Sequence, residues 1–211
     1  EGRFLRKWGE RFDWHGWLAM LDTPVGTAVD GEGKAYVADV EFDLPGGIAV
    51  DGEGKVYIAD TDNHRIQVFG TEGRFLRFLR KWGDYGDADG EFDGPRGMAI
   101  DVNDQVYVAD MSNQRIQVFN PEGRFLRKWG NEGYGDGEFS APSEIAVDGE
   151  GNVYVADGGN DRIQVFDPEG RFLRKWGGDY GDGDGELAEP QGITVDGEGN
   201  VYVIDSSHEG H

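Results

Sequence analysis

The sequence predicts an all-β fold, a propeller of four-stranded antiparallel blades. Three observations carry this: a long internal repeat, four short apolar runs within each repeat, and 36 glycines that punctuate them. One repeat reads GMAIDVNDQVYVAD (97–110), RIQVF (115–119) and EGRFLRKWG (122–130). Its first segment recurs around Thr27, Ile48, Met98, Ile145 and Ile193, at spacings of 21, 50, 47 and 48 residues. A local duplication lengthens one unit, because Arg74 to Gly83 reads RFLRFLRKWG where other copies read RFLRKWG. The short spacing marks a unit that lacks 26 residues.

The first run, as in Ile48-Ala-Val-Asp51, alternates branched residues with a small one and an acid, which suits a crowded inner strand. The link Asp51-Gly-Glu-Gly-Lys55 carries two glycines able to take positive φ, as a tight hairpin requires. KVYIAD (55–60) is a second strand and RIQVF (65–69) a third, each rich in β-branched and aromatic side chains. The fourth run is basic, and its four copies hold 13 of the 20 Lys and Arg. Positive charge on an outermost strand discourages edge-to-edge aggregation, so the stripe needs no bound anion to explain it. No stretch keeps a helical apolar period over three turns.

The stretches 46–69 and 89–110, with Asn63-His64-Arg65 at the naming motif, resemble the NHL repeat. The resemblance covers nearly the whole chain, with Glu10 to Thr23 departing from it. It implies a propeller, usually of six blades, serving mostly as an interaction module, with some lyase and lactonase relatives. Residues 1–211 are therefore expected to form one domain. Its units fall near 1–9 plus 190–211, 24–39, 45–83, 95–130 and 142–177. Unit 24–39 passes from Asp39 straight to Glu41-Phe42, which predicts a blade short of its last two strands and an edge at Ala35–Asp39 open to another chain. The N-terminal EGRFLRKWG is expected to complete the last blade and close the ring. The alternative is a cut through a longer array.

Charge and composition narrow the partners. The net charge of −22 disfavours nucleic acid and anionic membranes, and favours a basic protein or peptide. No apolar run reaches membrane-spanning length, so no membrane insertion is expected. Without cysteine, disulfides and thiolate metal sites are excluded, and the compartment stays undecided between intracellular and a favoured extracellular or cell-surface setting.

Chemistry is sparse. Two loops alternate acids with glycine, through Asp84, Asp87, Asp89 and Glu91, and through Asp179, Asp182, Asp184 and Glu186. They hint at calcium but lack the EF-hand spacing, so solvated connections between blades are expected and no cofactor is assigned. Recurrent aspartates end the first strand (Asp30, Asp51, Asp101, Asp148, Asp196) and the second (Asp39, Asp60, Asp110, Asp157, Asp205). Their presence in every unit favours turn capping over a cation ring. His15, His64, His208 and His211 form no zinc spacing. Ser112, Ser140, Ser143, Ser206 and Ser207 sit in no nucleophile elbow, so no catalytic residue is assigned. Binding is instead expected on the loops that vary most between copies: Asp62, Asn63 and His64; Ser112, Asn113 and Gln114; Asn160 and Asp161; and the tyrosines Tyr85, Tyr134 and Tyr180. The leading expectation is a non-catalytic scaffold for a protein or peptide partner, with self-association through open blade edges. The alternatives are a metal-dependent hydrolase or lyase using a central channel, and a recently amplified or engineered array without an evolved ligand.

Overall fold

A computed structural model describes residues 27–29, 35–37, 44–72, 75–181 and 183–206. The described residues are all-β, with 3-10 turns at Thr61–Asn63 and Gly158–Asn160. Contacts divide the chain into two compact units, Glu1–Pro95 and Arg96–His211. The first holds a hairpin of β1 (Thr27–Val29) and β2 (Ala35–Val37), and a sheet of β3 (Pro45–Val50), β4 (Val56–Asp60), β5 (Arg65–Glu72) and β6 (Phe75–Trp82). The second contains β7 (Pro95–Ile100), β8 (Val106–Asp110), β9 (Arg115–Phe119) and β10 (Phe125–Trp129). A further sheet follows, β11 (Pro142–Val147), β12 (Val153–Asp157), β13 (Arg162–Phe166) and β14 (Phe172–Gly177), and then a hairpin of β15 (Gly192–Val195) and β16 (Val201–Ile204). Strands neighbour one another in chain order within every sheet, and the described registers are antiparallel.

The local reasons are legible. At each described first turn the aspartate oxygen accepts two backbone N–H groups: Asp101 Oδ1 takes those of Asn103 and Gln105 at 2.9 and 2.8 Å. Its second oxygen accepts the Tyr107 hydroxyl at 3.3 Å. Asp51, Asp148 and Asp196 repeat the arrangement with Tyr57, Tyr154 and Tyr202. These acids thus clamp the hairpin and anchor the second strand's tyrosine. Burial, then the neighbouring Asp carboxylate, pushes the Tyr57 and Tyr107 phenols up to about 12.

Within a blade, burial peaks at the second and third strands. β8, β9, β12 and β13 are buried at every position, while β10 alternates half-buried and exposed residues. The fourth strand is pinned by its tryptophan, whose ring meets the second-strand tyrosine edge-on, as Trp129 meets Tyr107 at 6.4 Å. Arg127, on that basic strand, lies across the Tyr107 ring at 5.7 Å and donates to Gln105 Oε1 at 2.8 Å and to Pro168 O. The stripe therefore also tacks one blade to the next within the second unit. Core side chains there lie between sheets, where Tyr107, Ile116 and Val118 meet Phe139, Ile145, Val155 and Phe166.

Two features were not foreseen. The duplicated RFL lengthens the outer hairpin: β5 and β6 run eight residues each, with Gly70↔Arg77 and Thr71↔Leu76 paired. In the other sheets a five-residue link is held by an Asx turn, in which Asn120 Oδ1 accepts from Glu122 and Arg124, and Asp167 Oδ1 from Glu169 and Arg171. Gly70 stands at that position and offers no acceptor, so the extra residues zip into the ladder. A bulge also recurs at the fourth strand, and leaves Leu126 exposed between Phe125 and Arg127. The junction at Asp39–Phe42, Asp30, Asp182 and the N-terminal strand 1–9 lie outside the described residues, as do His15, Ser207, His208 and His211.

Candidate functional site

The loops between second and third strands begin with a buried acid. Asp157, fully buried, accepts Arg162 Nε at 2.7 Å, Gln164 Nε2 at 3.1 Å and Asn160 Nδ2 at 2.9 Å on one oxygen, and Ser140 N–H at 2.7 Å on the other. Asp110 gathers Arg115, Gln117 and Asn113 on one oxygen in the same way, and Asp60 takes Arg65 and Gln67 on one oxygen and Asn63 on the other. Asp60, Asp110 and Asp157 are thus internal ion-pair hubs, and Asn63, Asn113 and Asn160 serve them.

The next residue is left-handed in each copy, with φ of 50° at His64, 53° at Gln114 and 51° at Asp161. Its side chain accepts a backbone N–H further along the chain: His64 Nδ1 from Gly94 at 3.2 Å, Gln114 Oε1 from Ala141 at 2.6 Å, Asp161 Oδ1 from Glu189 at 2.8 Å. At His64 this leaves the Asp93 carboxylate at 3.7 Å as a contact, not an ion pair through that nitrogen. Three different residue types share one acceptor function, so their variation is not in itself a mark of ligand contact. Ser112 and Asp62 stay exposed.

The acidic loops carry the exposed aromatics. Tyr85 is 69% exposed, Tyr134 84% and Tyr180 59%. Tyr85 and Tyr180 occupy equivalent positions, whereas Tyr134 sits two residues later, where the other loops have Asp87 and Asp182. Tyr85 leans edge-on against His64 at 4.8 Å. The closing glutamate caps each loop from inside: Glu91, Glu138 and Glu186 accept from the N–H of Ala88, Gly135 and Gly183 at 3.1, 2.8 and 3.0 Å. The Gly135 N–H, and then the Asn131 amide, hold the Glu138 carboxyl below its ordinary range. Residues 133–138 are also gripped from the following blade, because Arg162 donates to the Tyr134, Gly135 and Glu138 carbonyls at 2.7, 2.9 and 2.9 Å. Tyr134 therefore projects from a fixed backbone. It flanks a cleft of about 420 Å³ floored by Asn160, Arg162 and Lys175. Lys175 Nζ meets Asp136 Oδ1 at 2.6 Å. Among the described residues no three Asp, Glu or His side chains are grouped to hold a metal ion.

One residue was missed. Glu144 on β11 stands where the other repeats have Gly26, Gly47, Gly97 and Gly192. Its backbone and carboxylate press on Gly97, where a Cβ would overlap them. The carboxyl accepts the Ile145 N–H at 3.0 Å, and burial pushes it up to about 7 against the N–H groups of Ile145 and Met98 and the charge of Arg96. The side chain that breaks the glycine pattern was the available signal.

With the blades, their hubs and their loops in place, the chain is a β-propeller protein. Residues 42–69 match the NHL repeat, and residues 97–163 match a family described as a 6-bladed beta-propeller. No curated protein matches the sequence. Solved structures share the fold. Virginiamycin B lyase from Staphylococcus aureus superposes with a TM-score of 0.61 at 14% identity, over 86% of this chain and 63% of the lyase. A chain of a nidogen/laminin complex gives 0.62 at 20% identity, over 88% and 73%. A gluconolactonase from Xanthomonas campestris gives 0.57 at 16%, over 85% and 61%. The chain thus spans less than two thirds of the lyase and of the lactonase, and the fold is common to enzymes and to a protein complex.

Proposed function

We propose that the chain is a non-catalytic propeller scaffold that binds a protein or peptide, preferentially a basic one, through its loop face. The observation that supports this most is the exposure of Tyr85, Tyr134 and Tyr180 on loops whose glutamates are tied to their own backbone. Rings presented on a fixed backbone lose little entropy when a partner covers them, which is why tyrosine is enriched in recognition surfaces. Asp62 and Ser112 add exposed polar groups, and the net charge of −22 steers cationic segments towards the surface. A chain of the same fold occurs in a nidogen/laminin complex, which is in keeping with protein binding.

The test is a fluorescence-anisotropy titration with Lys/Arg-rich and Asp/Glu-rich peptide panels at low and high salt. Basic peptides are expected to bind and to weaken with salt, and a Tyr85→Ala, Tyr134→Ala, Tyr180→Ala variant of unchanged melting temperature to lose about tenfold or more in affinity. Equal binding of acidic peptides, or an unaffected triple variant, overturns the reading. A metal-dependent hydrolase or lyase draws its one support from Glu144. The described residues offer no ligand cluster for the metal, so no catalytic step follows.

A further inference from the structure

Departures from the repeat meet at the cleft beside Tyr134. That tyrosine stands where the other acidic loops have Asp87 and Asp182, and Gly159 stands in place of Asp62 and Ser112. Gly177-Gly178 replaces the single glycines Gly83 and Gly130 that follow the tryptophan in earlier copies. A Cβ at Gly178 would meet nothing within 4 Å, so this corner of the wall is open. The cleft holds about 420 Å³, inside the range of about 300–1,000 Å³ that ligand pockets span.

The charges in its wall do not cancel. Arg162 is spent on the buried Asp157 at 2.7 Å and on three carbonyls, and Lys175 on Asp136 at 2.6 Å. Asp161 and Asp179 also line the cleft, and among the described residues neither is paired with a cation. Asp161 is held in place, because its Oδ1 accepts the Glu189 N–H at 2.8 Å. Two uncompensated carboxylates therefore share the cleft with the Tyr134 ring, and the face of such a ring attracts cations. A further acceptor belongs to the floor. Asn160 Oδ1 is buried with no donor, and the amide cannot turn to use it, because its nitrogen serves Gly133 O and Asp157 Oδ2 at 2.9 Å each. An acceptor left in this way is unfavourable until a donor reaches it.

We infer that this cleft takes a guanidinium group, as carried by an arginine side chain. The planar cation lies against Tyr134 and turns its N–H groups towards the Asp161 and Asp179 carboxylates. Lysine, a compact ammonium on a flexible stem, satisfies the carboxylates but not the flat ring face, so arginine is preferred. On the loop-face reading, on which this rests, Tyr134 is the anchoring ring and a basic partner enters here by one arginine.

The probe is N-acetyl-arginine amide, with N-acetyl-citrulline amide as its neutral isostere, each titrated into the full chain and followed by amide NMR. Saturable shifts are expected at Gly159, Gly177 and Gly178 with the arginine compound, and binding at least about tenfold weaker with citrulline. The double variant Asp161→Asn, Asp179→Asn keeps the acceptor for Glu189 and a residue type that tolerates the left-handed conformation. It is expected to weaken the arginine compound about tenfold, and the citrulline comparison decides should the variant fail to fold. Shifts that fall elsewhere, equal binding of citrulline, or an unaffected double variant overturns the proposal. Basic peptides separate it from the loop-face reading. Peptide affinity lost in the tyrosine triple variant but kept in the aspartate double variant overturns the cleft assignment alone. Binding of the arginine compound at the cleft without binding of any peptide supports the cleft as a site for a free guanidinium compound and overturns the loop-face reading.

Discussion

A carboxylate with no access to water must be neutralised where it stands, and Asp157 shows the consequence. Its side chain and that of Arg162 are 0% and 5% exposed, so neither charge can turn to solvent if the other is lost. Asp157→Asn is expected to cost about 3–5 kcal/mol, read as a lower urea midpoint at constant m-value. Asp60→Asn should cost less, because Arg65 keeps 27% of its side chain exposed and can rehydrate. Glu144 works in the opposite direction. Its folded carboxyl titrates near 7 against a reference of 4.5, so the native state binds the proton more tightly than the unfolded chain. Stability from this group is fully present below pH 4.5 and is lost as pH rises through 7. Glu144→Gln, which stays neutral, should remove that loss and make the variant more stable than the parent above neutrality, by up to about 3 kcal/mol. Parallel melts from pH 4 to 9 check this on the order of single pH steps. A parent curve that does not fall relative to Glu144→Gln over that range refutes it.

At the scale of strands, a five-residue link with an Asx acceptor and a longer zipped hairpin are alternative answers to the same sequence. Gly70 in place of Asn120 and Asp167 selects the second. Deleting residues 74–76 together with Gly70→Asn should restore the short link without loss of the sheet, leaving the melting temperature of the parent or raising it, since less chain is ordered for the same core. A drop of several degrees shows instead that the longer ladder is itself stabilising. The blades were legible because their apolar runs alternate and their turns are spelled by Asp and Gly. The duplication was visible too, but whether a bulge, a loop or a longer ladder absorbs it depends on whether a hydrogen-bond acceptor stands at the start of the link. The loops divided in the same manner. Exposure of Tyr85, Tyr134 and Tyr180 follows from their glycine-rich surroundings, whereas the inward duties of His64, Gln114 and Asp161 follow from a left-handed φ that no residue type announces. Gly130 is the clearer case, since its φ of 96° and a Phe139 ring 2.5 Å from where a Cβ would stand both demand glycine after the tryptophan. Glu144 was readable as the one side chain among inner-strand glycines, yet only its packing on Gly97 shows why that matters.

At the scale of the molecule, charge is distributed against itself. The chain carries 42 acidic and 20 basic residues, and 13 of the basic ones belong to the fourth runs of the repeat, which leaves the remaining sequence strongly acidic. Like charges on a compact surface repel more strongly than on an expanded chain, so net charge of this size opposes folding. The buried Asp–Arg hubs are shielded from ions, whereas the repulsion between exposed acids is screened over about 10 Å at 0.1 M salt. The two effects therefore respond differently to salt: the repulsion fades and the hubs persist. The melting temperature is expected to rise from low salt to a few tenths molar sodium chloride and then level off, with no comparable rise in sucrose at matched osmolality. A fall over the same range shows that exposed pairs such as Lys175–Asp136 and Arg171–Asp167 contribute more than the net repulsion removes. On the proposed reading the same screening acts on recognition, and the attraction of a basic peptide to the tyrosine loops should weaken over the salt range in which the fold gains. Binding and stability should thus move in opposite directions with ionic strength, and following both on one sample separates surface charge from the buried network.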